Sequence, residues 1–179
     1  MIALLDPRHY RRSPWKNGGG VTVDIALGGE SWQFGRTPIV APGPFSDYSG
    51  FERMQVLVAG SGLVLQTPDG EIDVRMPFRP VRFAGETPIT SRLDAGPVEV
   101  VNLIGARAAV RIGLTVLDAD RTLALGAGTH IAYCADGLAS LAADGKQYAL
   151  AADHGLRIEA AGSTMLACSG GRVVVASIT

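Results

Sequence analysis

Short apolar runs of β-type residues, separated by glycine turns, recur along most of this chain, and that rhythm constrains its fold more than any other feature. Met54–Val58 is followed by Gly60-Ser61-Gly62 and then by Leu63–Thr67. Pro68-Asp69-Gly70 leads from there into Glu71–Val74. Two such runs joined at an Asp-Gly turn predict a β-hairpin. Asp-Gly recurs at Asp136-Gly137 and Asp144-Gly145. Thr115–Leu117, Ile131–Tyr133, Tyr148–Leu150, Leu156–Ile158, Met165–Ala167 and Val173–Ala176 read as further strands. A spacing of roughly 8–12 residues between strands predicts a sandwich or barrel. Leu138–Ala143 has helix-forming composition. It is short and bracketed by Gly137 and Gly145, so it reads as a strand between turns, with one helical turn as the alternative.

Composition agrees with an all-β fold. Gly and Pro number 23 and 10 in 179 residues, which favours turns over long helices. Apolar residues make up 47% and charged residues 18%, enough for a core and too apolar for disorder. The net charge of −1 argues against a broad electrostatic grip on nucleic acid. No stretch approaches the ~20 apolar residues of a membrane span, and the apolar run at the N-terminus is too short for a signal peptide. Cys134 and Cys168, the two cysteines, sit inside apolar runs. They are expected to be buried, reduced thiols in a cytoplasmic protein. Residues 1–105 carry both tryptophans, and residues 106–179 are rich in Ala and Gly. The division predicts two related β units, the second smaller, without an exact sequence repeat.

Two segments concentrate polar chemistry. The first is Trp15-Lys16-Asn17-Gly18-Gly19-Gly20-Val21-Thr22-Val23-Asp24. Three consecutive glycines are entropically costly, so the chain needs either positive φ or a close approach of backbone to a neighbour there. Thr22 and Asp24 share one face if this is a strand. A flexible loop leading into an edge strand is the simpler reading. The spacing fits neither a P-loop nor a dinucleotide fingerprint. The second segment is Gly43–Arg53, where Phe45, Ser46, Asp47, Tyr48, Glu52 and Arg53 precede a strong strand. Arg53 there is placed either to grip a carboxylate or to pair internally with Glu52 or Asp47. His9, His130 and His154 are isolated in sequence, so no metal site is expected. Neither cysteine has a base beside it, and Ser46 lacks a nucleophile-elbow context.

Three motifs in fixed order resemble the HutD/Ves family. The first is Trp15-Lys16-Asn17-Gly18-Gly19-Gly20, then Thr22 and Ile25-Ala26. The second is Trp32, Gly43-Pro44-Phe45-Ser46, Gly50, Arg53 and Gly60-x-Gly62-Leu63. The third is Pro77-Phe78, Gly96-Pro97-Val98 and Asn102. The resemblance spans about residues 15–105. It implies a bicupin, two stacked cupin-like β-barrels in one chain: residues 1–105 forming the first and 106–179 the second. It also implies an association with histidine utilisation or stress responses, through binding of a small metabolite without catalysis. The chain departs from the family pattern at Gln33 and Gly35, where the family tends to have Arg and Ser, and at Val100, where it tends to have Asp.

Together these readings predict a ligand pocket in the first barrel, formed by Trp15, Lys16, Asn17, Gly19, Thr22, Asp24, Phe45, Arg53 and Asn102. Lys16 and Arg53 hold a small carboxylate metabolite. Asn17, Thr22 and Asn102 supply directional hydrogen bonds, and Asp24 meets an amine or orients Lys16. Trp15, Trp32 and Phe45 wall the pocket, with core packing the alternative for Trp32 and Phe45. No cofactor or metal is expected. The alternative is a metal-independent isomerase or lyase working through Lys16 and Asp24. Unpaired strand edges leave room for a homodimer.

Overall fold

The structure is a computed structural model that describes residues 1–118 and 120–179. In chain order it contains β1 (Ile2–Leu5), a single 3-10 turn (Pro7–His9), β2 (Arg11–Pro14), β3 (Val21–Gly28), β4 (Trp32–Ile39), β5 (Gly43–Pro44) and β6 (Phe51–Ala59). These are followed by β7 (Leu63–Thr67), β8 (Gly70–Asp73), β9 (Val81–Ala84), β10 (Thr90–Leu93), β11 (Val98–Ala106) and β12 (Ile112–Leu117). The remaining strands are β13 (Arg121–Leu125), β14 (Gly128–Asp136), β15 (Leu138–Ala143), β16 (Lys146–Ala151), β17 (Gly155–Ala160), β18 (Thr164–Ser169) and β19 (Arg172–Ile178). The described residues contain no α-helix, so none is long and apolar enough to cross a membrane. The Ala-rich segment 138–143 is strand β15, held between β16 and β18.

The chain falls into two compact units, Tyr10–Val110 and Met1–His9 with Arg111–Thr179. β1 joins the latter because it pairs antiparallel with β17, Ile2 opposite Ile158. The composition boundary near residue 105 lies at the end of β11. Each unit holds two antiparallel sheets. In Tyr10–Val110 these are a six-stranded sheet in the order β2-β3-β4-β11-β6-β9 and a four-stranded sheet β5-β10-β7-β8. In the other unit they are β1-β17-β14-β19-β12 and β13-β18-β15-β16. None of these sheets closes on itself, whereas the sequence resemblance leads to closed barrels.

Each core is built from both sheets of its unit. In Tyr10–Val110, Ile39, Leu57 and Val100 of the six-stranded sheet pack with Leu63 and Leu65 of the smaller one. In the other unit, Ala132, Leu156 and Val175 pack with Leu141, Leu150 and Leu166. β6 and β11 are buried on both faces along most of their length, which is why they read as nearly continuous apolar runs. Cys134 and Cys168 are free thiols in the second of these cores. Burial pushes both thiols up from the ordinary cysteine range.

Candidate functional site

The six-stranded sheet turns from apolar to polar along one face. Side chains two residues apart on a strand share a face, so alternation fixes which residues meet. Going down the strands, Ile39 gives way to Thr37, Gly35 and Gln33 on β4. Val98 and Val100 give way to Asn102 on β11, and Leu57 gives way to Gln55 and Arg53 on β6. Register aligns these changes. Asn102 lies between Gly35 and Gln55, and Ile104 lies between Gln33 and Arg53. The result is an open pocket continuous with the core, with about 500 Å³ between its walls counting the part open to solvent.

Two loops complete the walls. Residues 15–20 connect β2 to β3. This loop closes through Trp15 N–H to the Gly20 carbonyl at 2.9 Å, and its glycines have separable reasons. Gly18 adopts φ +73°. A side chain at Gly20 would begin 2.8 Å from the Trp15 ring, so glycine lets the indole lie against the backbone. The indole Nε1–H donates to Thr22 Oγ1 at 3.2 Å, and Thr22 Oγ1 lies 2.8 Å from Thr37 Oγ1 across the strands. Asn17 ties this loop to the next, its Nδ2 donating to the Pro44 carbonyl at 2.8 Å. The second loop brings Phe45, Ser46 and Tyr48 to the pocket.

Arg53 dominates the electrostatics. It is only 7% exposed, and no carboxylate among the described residues pairs with it. Glu52 reaches Arg82 instead, at 3.9 Å, and Asp47 accepts a hydrogen bond from Ser49. The internal ion pair open from sequence is therefore not the one made. Arg53 Nε is buried without a hydrogen-bond partner among the described residues. The guanidinium carbon lies 5.1 Å from the ring centres of Phe45 and Phe83 and 5.3 Å from that of Tyr48. Phe83 faces Arg53 from β9 because the two are register partners. Burial pushes the guanidinium down to about 10, against an opposing upward pull from Tyr48, so it stays cationic at neutral pH.

Of the residues expected from sequence, Trp15, Thr22, Phe45, Arg53 and Asn102 line this pocket. Lys16, Asn17, Gly19 and Asp24 do not. The Lys16 side chain is exposed, with Nζ 4.2 Å from the Tyr48 ring centre. Gly19 donates its amide to Asn17 Oδ1 at 2.9 Å, so both residues fasten the loop. Asp24 is buried, accepting hydrogen bonds from Ser13 Oγ and Gln33 Nε2. It thereby orients Gln33 rather than Lys16. Trp32 is buried outside this lining, its parity on β4 opposite to that of Gln33, so of its two expected roles it takes core packing.

Sequence reasoning did not reach Thr37, Ile39, Ser46, Tyr48, Gln55 or Ile104 as lining residues. The signal for Gln55 was a single amide inside the buried run Met54–Val58. Gln33 and Gly35, the family departures, do line the pocket, whereas Val100 is core. A Cβ at Gly35 would meet Thr22 Cγ2 at 2.6 Å and the Val23 carbonyl at 2.8 Å. A serine there would have to push β3 aside.

The lining offers one cation, hydroxyls and amides, and contains no carboxylate, histidine, lysine or cysteine. Among the described residues no group of three or more His, Cys, Asp and Glu is placed to hold a metal ion. His130 is buried between Ser177 Oγ at 2.9 Å and the Gly126 carbonyl at 3.0 Å. Such a lining can hold an anion and read hydrogen bonds around it.

Residues 7–176 match the profile of the HutD family. An uncharacterized 21.2 kDa protein from the hutC 3′ region of Pseudomonas putida is 29% identical over 152 residues, covering 82% of this chain and 80% of the relative. The structure of HutD from Pseudomonas fluorescens SBW25 matches with a TM-score of 0.84 at 25% identity, covering 100% of this chain and 98% of that one. A conserved protein of unknown function from Pseudomonas aeruginosa PAO1 matches with a TM-score of 0.90 at 24% identity, covering 99% and 98%. At the level of fold alone, the chain is similar to the cupin-like salicylate 1,2-dioxygenase from Pseudoaminobacter salicylatoxidans. That match has a TM-score of 0.62 at 8% identity and covers 92% of this chain and 75% of that one.

Proposed function

This chain belongs to the HutD family, and on that premise we propose that it is a bicupin that binds a small carboxylate metabolite over its six-stranded sheet. The observation that carries this reading is Arg53, a buried guanidinium without an anion partner, walled by three rings at the base of an open pocket. A buried charge is costly unless it is paired, and a carboxylate matches the guanidinium fork. The aromatic walls suit the apolar part of such a ligand. Lys16 Nζ lies 4.2 Å from the ring centre of Tyr48, a lining residue, and adds positive potential beside the pocket.

The protein's role in this reading is to bind and report a metabolite. The pocket lining supports it, having hydrogen-bonding groups but no carboxylate or imidazole to move a proton. The relative from the hutC 3′ region supports a link to histidine utilisation. We place the protein in the cytoplasm on the strength of its expected reduced thiols.

A thermal-shift series tests the reading. The probes are formate, glutamate, formylglutamate, urocanate and histidine. An acid at a hundredfold its Kd raises stability by about 2.7 kcal/mol. Arg53→Met abolishes the shift for the acid that binds. Folded protein that responds to none of these acids would remove the carboxylate ligand from consideration.

A further inference from the structure

The pocket has a second polar end whose chemistry differs from that of Arg53. Gln55 is wholly buried, and neither its Oε1 nor its Nε2 has a hydrogen-bond partner among the described residues. Asn102, 7% exposed, likewise has no partner for Oδ1 among the described residues. The two are register partners on β6 and β11, so their side chains rise together from one face. Gly35, on the other side of Asn102, contributes no side chain to this row, and both amides border the open pocket. Buried amides left unpaired are rare, because each unmade bond forfeits the hydration it had in the unfolded chain.

The open atoms define what satisfies them. Whichever way the Gln55 amide is turned, one acceptor and one donor stay open, and Asn102 adds another atom. An ionised carboxylate accepts only, so it answers Arg53 but cannot satisfy an amide oxygen. That oxygen needs a hydrogen donor. Arg53 and Gln55 are two residues apart on β6, about 7 Å along the strand. Resting on the carboxylate reading above, we infer that the ligand is a bifunctional acid. Its carboxylate meets Arg53, and an N–H group a few bonds away meets Gln55 and Asn102. Those two residues determine specificity by rejecting acids that lack the donor.

Matched probes separate this inference from the carboxylate reading. N-Acetyl-β-alanine and 5-oxohexanoate differ only by N–H against CH₂, as do N-acetylglycine and 4-oxopentanoate at a shorter length. Calorimetric titration of the full chain gives the affinity of each. The amide member binds more tightly by about tenfold or more, as expected of a site built to hydrogen-bond its ligand. Gln55→Met and Asn102→Leu reduce that preference towards one, read as the ratio of the paired affinities within each variant. Equal binding of both members, lost in Arg53→Met, would overturn the inference and leave the carboxylate reading standing. Absence of binding by all four acids to folded protein would overturn the inference, and silence of the earlier panel as well would overturn the carboxylate reading with it. The wild-type comparison decides even if a variant fails to fold.

Discussion

Replacing Arg53 by methionine should stabilise the ligand-free protein while destroying its binding. The drop of the guanidinium from its ordinary range to about 10 is caused chiefly by burial. At about 1.4 kcal/mol per tenfold change in proton affinity, it corresponds to roughly 3 kcal/mol held against the fold at neutral pH. Contacts with the three rings return about 0.5–1 kcal/mol each, and a methionine sulfur keeps part of that ring contact. The net gain of Arg53→Met is therefore about 1–2 kcal/mol, or a melting temperature higher by about 2–8 °C for a chain of this size. Denaturant and thermal unfolding of both proteins measure it. Saturating acid reverses the order, because wild type at a hundredfold Kd gains about 2.7 kcal/mol and the variant gains nothing. The sign with pH follows from the lowered value. The burden is fully present below pH about 10 and is relieved as pH rises through it, where the native chain has lost a proton that the unfolded chain still binds. A loss of 1 kcal/mol or more on Arg53→Met without ligand would refute the reasoning, since it would make Arg53 a structural residue.

Further perturbations probe the pocket's supports. Gly20→Ala places a methyl 2.8 Å from the Trp15 ring and so displaces the indole from Thr22. We expect acid affinity to fall about tenfold with stability changed by less than about 1 kcal/mol, because the loop is exposed. Tryptophan emission and titration report the two effects. Asp24→Leu strands the Ser13 hydroxyl and the Gln33 amide, costing about 2–3 kcal/mol in urea unfolding. Asp24→Asn preserves a partner for each and should stay within about 1 kcal/mol of wild type. Cys134 and Cys168, buried and pushed up by desolvation, should resist a thiol reagent in native protein at pH 8. Both should react within seconds once the chain is unfolded, and rapid native reaction at either would contradict its burial.

The affinity of the pocket for carboxylates should stay level from about pH 6 to 9 and decline above pH about 10, as Arg53 loses its proton. A titration series across that range checks it. A midpoint near neutrality would assign the binding charge to another group.

The strand rhythm and its turns were legible in sequence because period-2 alternation and Asp-Gly turns are local properties, decided by residues that touch along the chain. So was the unusual character of Trp15–Gly20 and of the segment that holds Arg53. Three adjacent glycines, and an arginine that follows three aromatics within nine residues, are unusual wherever they occur. The pocket's floor was not legible. Gln55 and Asn102 are 47 positions apart and become neighbours only through the pairing of β6 with β11. Gly35 joins them from β4, and Phe83 reaches Arg53 from β9. Asp24 shows the limit most clearly. Its carboxylate, next to a conspicuous loop, looks like a ligand contact in sequence. Tertiary pairing with Ser13 and Gln33 turns it into a support. Sequence determined which strands exist and which residues carry charge. Register and sheet order, set by non-local burial, decided which of those residues share a cavity and which are already satisfied.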